Sequence, residues 1–198
     1  MIPTIEQRID SVIALMTLDE KIGQLNQYSG GFYTGANKSR AGTTYETMIR
    51  QGKIGSLLNI FGAERTRQFQ KIAVEDSRLK IPLIFGLDVV HGFITTFPVP
   101  IAEASSWDPQ LVEQSARWQA IEASSAGIHW TFSPMVDIAR DPRWGRIVEG
   151  SGEDPYLGSL MAAARVHGYQ GNDLGSNNTI MACAKHFAGY GGAEGGRD

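Results

Sequence analysis

The first residues of the chain have the apolar spacing of an amphipathic helix, which predicts a helix over residues 5–16. The apolar side chains at this spacing are Ile5, Ile9, Val12, Ile13 and Met16. Thr17 and Glu20 then have the S/T-x-x-E spacing of a capping box, so a second short helix is predicted to begin there. Residues 30–44 are rich in Gly, Ser and Tyr without any period, which indicates a loop.

From residue 54 onward, short apolar runs alternate with helical patterns. Strands are predicted at residues 54–60, 83–87, 128–135 and 180–184, and a helix at residues 63–79. Two further helices are predicted where an aspartate can cap the helix and a proline takes the first helical position. They begin at Asp108-Pro109 and Asp154-Pro155 and end before Gly127 and Gly171.

Apolar strands that alternate with helices indicate parallel βα units, which occur in open doubly wound sheets and in barrels. A doubly wound nucleotide-binding sheet would have a G-x-G-x-x-G loop after its first strand, but Phe61-Gly62-Ala63-Glu64 stands there. The glycine-rich residues 189–196 also lack this pattern and follow the fourth strand. We therefore predict an α/β fold, the first half of a (β/α)₈ TIM-type barrel with about four βα units. Residues 1–53 are predicted to form N-terminal helices and a loop.

Composition and charge narrow the choice of partners. The chain has 198 residues and a net charge of −3, and its Lys and Arg residues are scattered, so we predict no nucleic-acid partner. No apolar run approaches the ~20 residues of a membrane helix, and no membrane association is predicted. The N-terminus has no basic-then-apolar leader. The localisation therefore stays open: periplasmic or secreted if a signal peptide was removed, otherwise cytoplasmic.

Polar clusters follow three of the predicted strands. They cover residues 86–92, 137–146 and 185–191. The carboxyl ends of barrel strands form one face, so these clusters are expected to converge on one pocket. An acid, several guanidiniums, an ammonium and an imidazole suit a neutral, hydroxyl-rich ligand, because each hydroxyl both donates and accepts hydrogen bonds.

Structural roles compete with binding roles at these positions. Asp88 could cap a helix or pair with an arginine, and His91 is more often structural than a ligand. A salt-bridge network is predicted to hold the second cluster, and Arg146 could belong to it; its other members are Arg140, Asp141, Arg143, Glu149 and Glu153. No two histidines have metal-ligand spacing with a carboxylate, so neither a metal nor a cofactor is predicted. The absence of G-x-S-x-G excludes the usual serine hydrolase.

The three clusters resemble the sequence blocks of glycoside hydrolase family 3. The matching blocks are D-x-x-H-G from Asp88, R-D-P-R-W-G-R from Arg140 and K-H-F-x-G from Lys185, and the resemblance runs from Thr17 to Asp198. It implies a retaining β-glycosidase, above all a β-glucosidase, with a β-linked glucoside or oligosaccharide as substrate. A β-xylosidase or β-N-acetylhexosaminidase of the same family is the alternative, although Tyr190 stands where the hexosaminidase branch has histidine. By resemblance, the sugar in the −1 subsite would be bound by Asp88, Arg146, Lys185, His186 and Arg197.

The chain also departs from the family pattern. The family's nucleophile is an Asp in an S-D-W-like block, and no Asp-Trp pair occurs here; its acid/base comes from a following domain. We therefore assign no catalytic residue and predict that residues 1–198 are the N-terminal portion of the barrel domain. By itself this portion is predicted to be inactive, with the remaining part of the same enzyme as its partner. A non-catalytic sugar-binding or assembly module is the alternative from another class.

Lys185 and His186 are neighbours at the end of a predicted strand, where adjacent side chains point to opposite faces. If both contact the sugar, the backbone must leave regular strand geometry. We therefore predict a break in the strand within residues 185–188, through a bulge, a turn or a cis peptide bond.

Overall fold

The structure, a computed structural model, describes residues 3–30 and 43–196. It divides into two compact units, Met1–Gly86 and Leu87–Asp198. Most of the predicted loop at residues 30–44 lies outside the described residues, and so does Arg197.

The N-terminal unit begins with two capped helices, α1 (Ile5–Leu15) and α2 (Leu18–Leu25). Each opens with a capping box, in which the side chains of the N-cap and N3 residues hydrogen-bond each other's backbone N–H. The second box is formed by Thr17 and Glu20, so this prediction is confirmed.

Three short parallel strands follow: β1 (Gln27–Ser29), β2 (Ser56–Leu58) and β3 (Ile84–Leu87). β2 lies in the middle and pairs with both others. Residues 1–53, for which helices and a loop are predicted, also contain the helix α3 (Thr43–Arg50) and the strand β1, which was not predicted. β1 was missed because its three residues include two polar ones and have no apolar run.

The predicted helix at residues 63–79 is confirmed in position and ends slightly earlier. It consists of α4 (Ala63–Lys71) and a π-helical turn at Ile72–Asp76.

Glu20 also joins α2 to the segment that follows this helix. Its two carboxylate oxygens accept hydrogen bonds from Arg78 at 2.9 and 2.5 Å. The hydrogen bonds from Arg78, and then that from the Thr17 backbone, lower the pKa of Glu20 from 4.5 to about 2.

This lowered pKa predicts an acid-sensitive contribution to stability. A carboxylate whose pKa is lower in the folded state stabilises the fold above its unfolded-state pKa, and this contribution disappears as pH falls through the folded-state value. We therefore expect the free energy of unfolding to fall between pH 4.5 and about 2, and to fall less in Glu20→Gln. Urea unfolding at several pH values measures this. Equal acid sensitivity of both proteins would contradict it.

The C-terminal unit is built around two long helices, α6 (Pro109–Ser125) and α7 (Pro155–Gln170), preceded by the short α5 (Pro100–Ala104). Asp108 and Asp154 cap α6 and α7 as predicted, each accepting two backbone hydrogen bonds. The two helices pack closely at Gly168, where a Cβ would lie 2.4 Å from the carbonyl oxygen of Glu113. Only glycine therefore fits at this position.

The predicted strands at residues 128–135 and 180–184 lie side by side, but most of their length is irregular. Only β4 (Trp130–Thr131) is a regular strand, and Met181 and Lys185 form isolated parallel bridges to Trp130 and Met135. Backbone hydrogen bonds nevertheless run along both segments, from His129 to Val136. The prediction of a regular fourth strand at residues 180–184 is therefore wrong, although its parallel pairing is right.

None of the helices in the described part of the chain combines the length and the apolar character needed to cross a membrane.

Candidate functional site

Asp88 and Lys185 meet although 97 positions separate them in the sequence. Asp88 directly follows β3, and Lys185 follows the segment that pairs with β4. The ammonium Nζ donates to Asp88 Oδ1 at 3.0 Å. The lysine side chain is only 13% exposed and the aspartate side chain 54% exposed, so the pair joins a mostly buried cation to an accessible carboxylate.

Arg146 is held by Glu149 through two parallel hydrogen bonds. Nε donates to Oε1 at 2.7 Å and Nη2 donates to Oε2 at 2.6 Å. These bonds raise the pKa of Arg146 and lower the pKa of Glu149. The nearby positive charges of Arg146 and Lys185 lower the pKa of Glu149 further. Glu149 is therefore ionised at neutral pH and lies among the cationic groups of the cluster.

His186 is bound to Asp137 on one side and faces Arg146 on the other. Its Nδ1 lies 2.8 Å from Asp137 Oδ2, and its backbone N–H donates to the same oxygen at 3.0 Å. Its Nε2 lies 3.5 Å from Arg146 Nη1. The ring of Tyr190 packs edge-on against the imidazole, and its centroid lies 5.3 Å from the guanidinium carbon of Arg146, in cation–π range.

The backbone breaks regular strand geometry next to Lys185, as predicted. The peptide bonds Lys185–His186 and Phe187–Ala188 are both cis. The side chains of Lys185 and His186 reach Asp88 and Asp137, respectively.

Three buried side chains hold the loop that carries Asp88, and sequence analysis missed all three. Thr131 Oγ1 accepts from Val89 N–H at 3.0 Å, and the Tyr169 hydroxyl donates to Val89 C=O at 2.9 Å. Gln119 Oε1 accepts from Gly92 N–H at 2.9 Å. All three side chains are fully buried, and burial raises the pKa of Tyr169. The loop is thus fixed by two buried hydrogen bonds at Val89 and a part-buried one at Gly92.

Contacts with the glycine-rich tail hold the second cluster in place. Arg140 N–H donates to Gly191 C=O and Gly145 N–H to Gly196 C=O. A Cβ on Gly191 would lie 2.1 Å from the carbonyl oxygen of Ile138, so a larger residue could not approach so closely.

An open cleft of about 300 Å³ lies beside Asp88 and Glu149. Its other lining residues are Val90, His91, Gly92, Val99, Pro100 and Val148. This volume is at the lower limit of ligand pockets, which hold roughly 300–1,000 Å³. Within the residues that the structure describes, His, Cys, Asp and Glu form no group of three or more that could hold a metal ion.

The structure therefore brings together four of the five predicted sugar ligands, as the two contacts Asp88–Lys185 and Arg146–His186. Of the predicted salt-bridge network, the structure has two separate ion pairs, Asp141–Arg143 and Arg146–Glu149, so the network is confirmed only in part. Arg146 is thus both a predicted ligand and a member of an ion pair. Asp137 was given no role by sequence analysis, although its place at the start of the second cluster could have drawn attention to it.

Comparison with solved structures identifies the class of fold. A mutant β-glucosidase from Listeria innocua, in complex with laminaribiose, matches with a TM-score of 0.84 and 41% identity. The match covers 96% of this chain and 28% of that one. It confirms the predicted α/β fold of the TIM-barrel type. The chain belongs to glycosyl hydrolase family 3: the model of the family's N-terminal domain matches residues 17–198.

Curated relatives agree with this assignment. A periplasmic β-glucosidase of Salmonella typhimurium is 41% identical over 190 residues, which are 96% of this chain and 24% of the relative. A periplasmic β-glucosidase/β-xylosidase of Dickeya chrysanthemi is 31% identical over 222 residues, covering all of this chain and 33% of the relative. The chain thus spans about a quarter to a third of the length of these proteins.

Proposed function

We propose that this chain forms the sugar-binding portion of a retaining β-glycosidase, a β-glucosidase in the first place. The observation that supports this most strongly is the cluster in which Asp88 meets Lys185 and Arg146 meets His186, in a chain that is 41% identical to a β-glucosidase. The substrate is a β-linked glucoside or oligosaccharide.

The chemistry of the cluster suits sugar hydroxyls. The carboxylate of Asp88 is accessible and can accept hydrogen bonds from two neighbouring hydroxyls, while the ammonium of Lys185 donates. Hydrogen bonds to charged groups are about twice as strong as neutral ones, so a few such contacts fix the orientation of the ring. In this proposal Asp88, Arg146, Lys185 and His186 bind the sugar in the −1 subsite, together with Arg197.

The carboxylates of the cluster are suited to binding rather than to bond cleavage. Asp88 faces an ammonium, Glu149 a guanidinium and Asp137 an imidazole. Retaining cleavage requires a free carboxylate as nucleophile and a second carboxyl group that carries a proton, about 5–5.5 Å apart. In this proposal, both belong to parts of the enzyme outside these 198 residues.

The relatives suggest a compartment and an alternative substrate. Both curated relatives are named periplasmic, and we propose the periplasm for this protein as well. The name of the Dickeya relative includes β-xylosidase, so xylosides are the second candidate substrate class. Xylose lacks the hydroxymethyl group of glucose, and comparing the affinities of the two sugars distinguishes the two substrates.

Asp88→Asn tests the proposed site. The substitution replaces a charged acceptor with a neutral amide, and we expect the affinity for glucose to fall about ten- to hundredfold. An NMR titration of the isotope-labelled chain with glucose measures the dissociation constant. Glu75→Gln is the matched control, because Glu75 is similarly exposed, at 58%, and also pairs with a lysine. Equal affinities of Asp88→Asn and the unmodified chain would contradict the proposal.

A further inference from the structure

One oxygen of Asp137 accepts two hydrogen bonds from the same residue. The imidazole Nδ1 and the backbone N–H of His186 lie 2.8 and 3.0 Å from Oδ2. The Asp137 side chain is only 2% exposed, whereas that of His186 is 33% exposed. The carboxylate is therefore shielded from water, and the imidazole bound to it reaches the surface of the site.

This contact determines which ring nitrogen carries the proton. An ionised carboxylate only accepts hydrogen bonds, so Nδ1 must carry a hydrogen. In the neutral ring, Nε2 then has a free lone pair. Without Asp137, only the weak contact with Arg146 would favour this tautomer.

Arg146 provides a donor beside that lone pair. Glu149 occupies its Nε and Nη2, and its Nη1 faces Nε2 of His186 at 3.5 Å. This separation is longer than the 2.7–3.2 Å of ordinary N–H hydrogen bonds, so the two groups bind each other weakly. A lone pair and an N–H side by side match one hydroxyl group, which donates to Nε2 and accepts from Nη1.

We propose that Asp137 is a positioning residue that holds His186 in the Nδ1–H tautomer and makes Nε2 an acceptor for a sugar hydroxyl. The inference rests on the proposed function for its ligand. Asp137 does not touch the sugar and acts only through His186. This role explains why the buried carboxylate of Asp137 binds the partly exposed imidazole of His186.

The tautomer can be observed directly. Long-range ¹H–¹⁵N NMR distinguishes a protonated ring nitrogen from one with a free lone pair, and His186→Gln identifies the signals of this ring among the four histidines. In the unmodified chain at a pH where the ring is neutral, we expect Nδ1 protonated and Nε2 unprotonated. A ring protonated at Nε2 would overturn the proposal without any variant.

Two substitutions separate the acceptor from its charge. Asp137→Asn keeps a carbonyl oxygen for both N–H groups, so the tautomer should persist. Asp137→Ala removes the acceptor, and the two ring nitrogens should become mixed in protonation. Asp141→Ala is the control, because Asp141 lies in the same cluster but pairs with Arg143. An unchanged tautomer in folded Asp137→Ala would overturn the proposal. If that variant does not fold, the tautomer of His186 measured in the unmodified chain and in Asp137→Asn still tests the proposal.

Glucose affinity tests the link to the sugar. Loss of one well-oriented hydrogen bond should weaken binding about tenfold in Asp137→Ala, and Asp137→Asn should retain most of the affinity. Equal affinity in Asp137→Ala and the unmodified chain would overturn the positioning role. If the unmodified chain has the expected tautomer but does not bind glucose, the proposed sugar-binding function is overturned. The role of Asp137 in fixing the tautomer of His186 would still be supported.

Discussion

Purified residues 1–198 are expected to hydrolyse no aryl β-glucoside. Glu149 has a lowered pKa and is ionised at neutral pH, so it cannot donate a proton to a leaving group. Asp88 is paired with Lys185 and, in our proposal, binds the sugar. Removing residues of a catalytic group that acts as a unit costs on the order of a millionfold in rate. The expected turnover is therefore at the background level.

The assay compares this chain with a full-length relative, such as the Salmonella typhimurium β-glucosidase, at equal concentrations. Release of the aryl group is followed over hours, because slow turnover would be missed in a short measurement. Steady hydrolysis by the chain that disappears in Asp88→Ala would show that the nucleophile and the acid lie within these 198 residues.

Glu103→Ala is expected to cost about 3–5 kcal/mol of stability, because it leaves a buried guanidinium without its counter-charge. Glu103 in α5 pairs with Arg165 in α7, and their side chains are 6% and 3% exposed. Ser115 in α6 donates to the same carboxylate at 2.5 Å. The acid thus joins the three α-helices α5, α6 and α7.

Urea unfolding of both proteins measures this loss. The control is Glu75→Ala, which removes an exposed partner of Lys71 and should change stability by less than about 1 kcal/mol. A loss below about 1 kcal/mol in Glu103→Ala would mean that water or another group compensates Arg165.

Local sequence patterns predicted the longer elements of this fold. The aspartate–proline starts of α6 and α7 and the capping box of α2 are short-range features, and the structure has all three. β1 could not be found in this way, because its three residues become a strand only through pairing with β2. The strand predicted at residues 180–184 was wrong for the opposite reason. These residues have the apolar composition of a strand, but the backbone of this segment and of its partner at residues 128–135 is mostly irregular.

In the candidate site, too, the sequence predicted the local features but not the contacts between distant residues. The residues at strand ends were found from their position and from the resemblance, and the structure brings four of them into two contacts. The buried hydrogen bonds that hold the loop carrying Asp88 could not be predicted. Gln119 and Tyr169 lie within helices, where nothing in the sequence shows that their polar ends reach the backbone after β3. Such contacts depend on packing between elements that are distant in the chain.

The three buried side chains that hold the loop after β3 form hydrogen bonds with its backbone atoms and not with its side chains. Thr131, Tyr169 and Gln119 hold the peptide groups of Val89 and Gly92. These hydrogen bonds involve only the peptide groups of residues 89 and 92, so replacing the side chains at positions 90 and 91 leaves them in place. In the proposed sugar-binding site, the side chains at positions 90 and 91 can therefore vary with little change in the stability of the unit, as urea unfolding of variants substituted at these two positions would show.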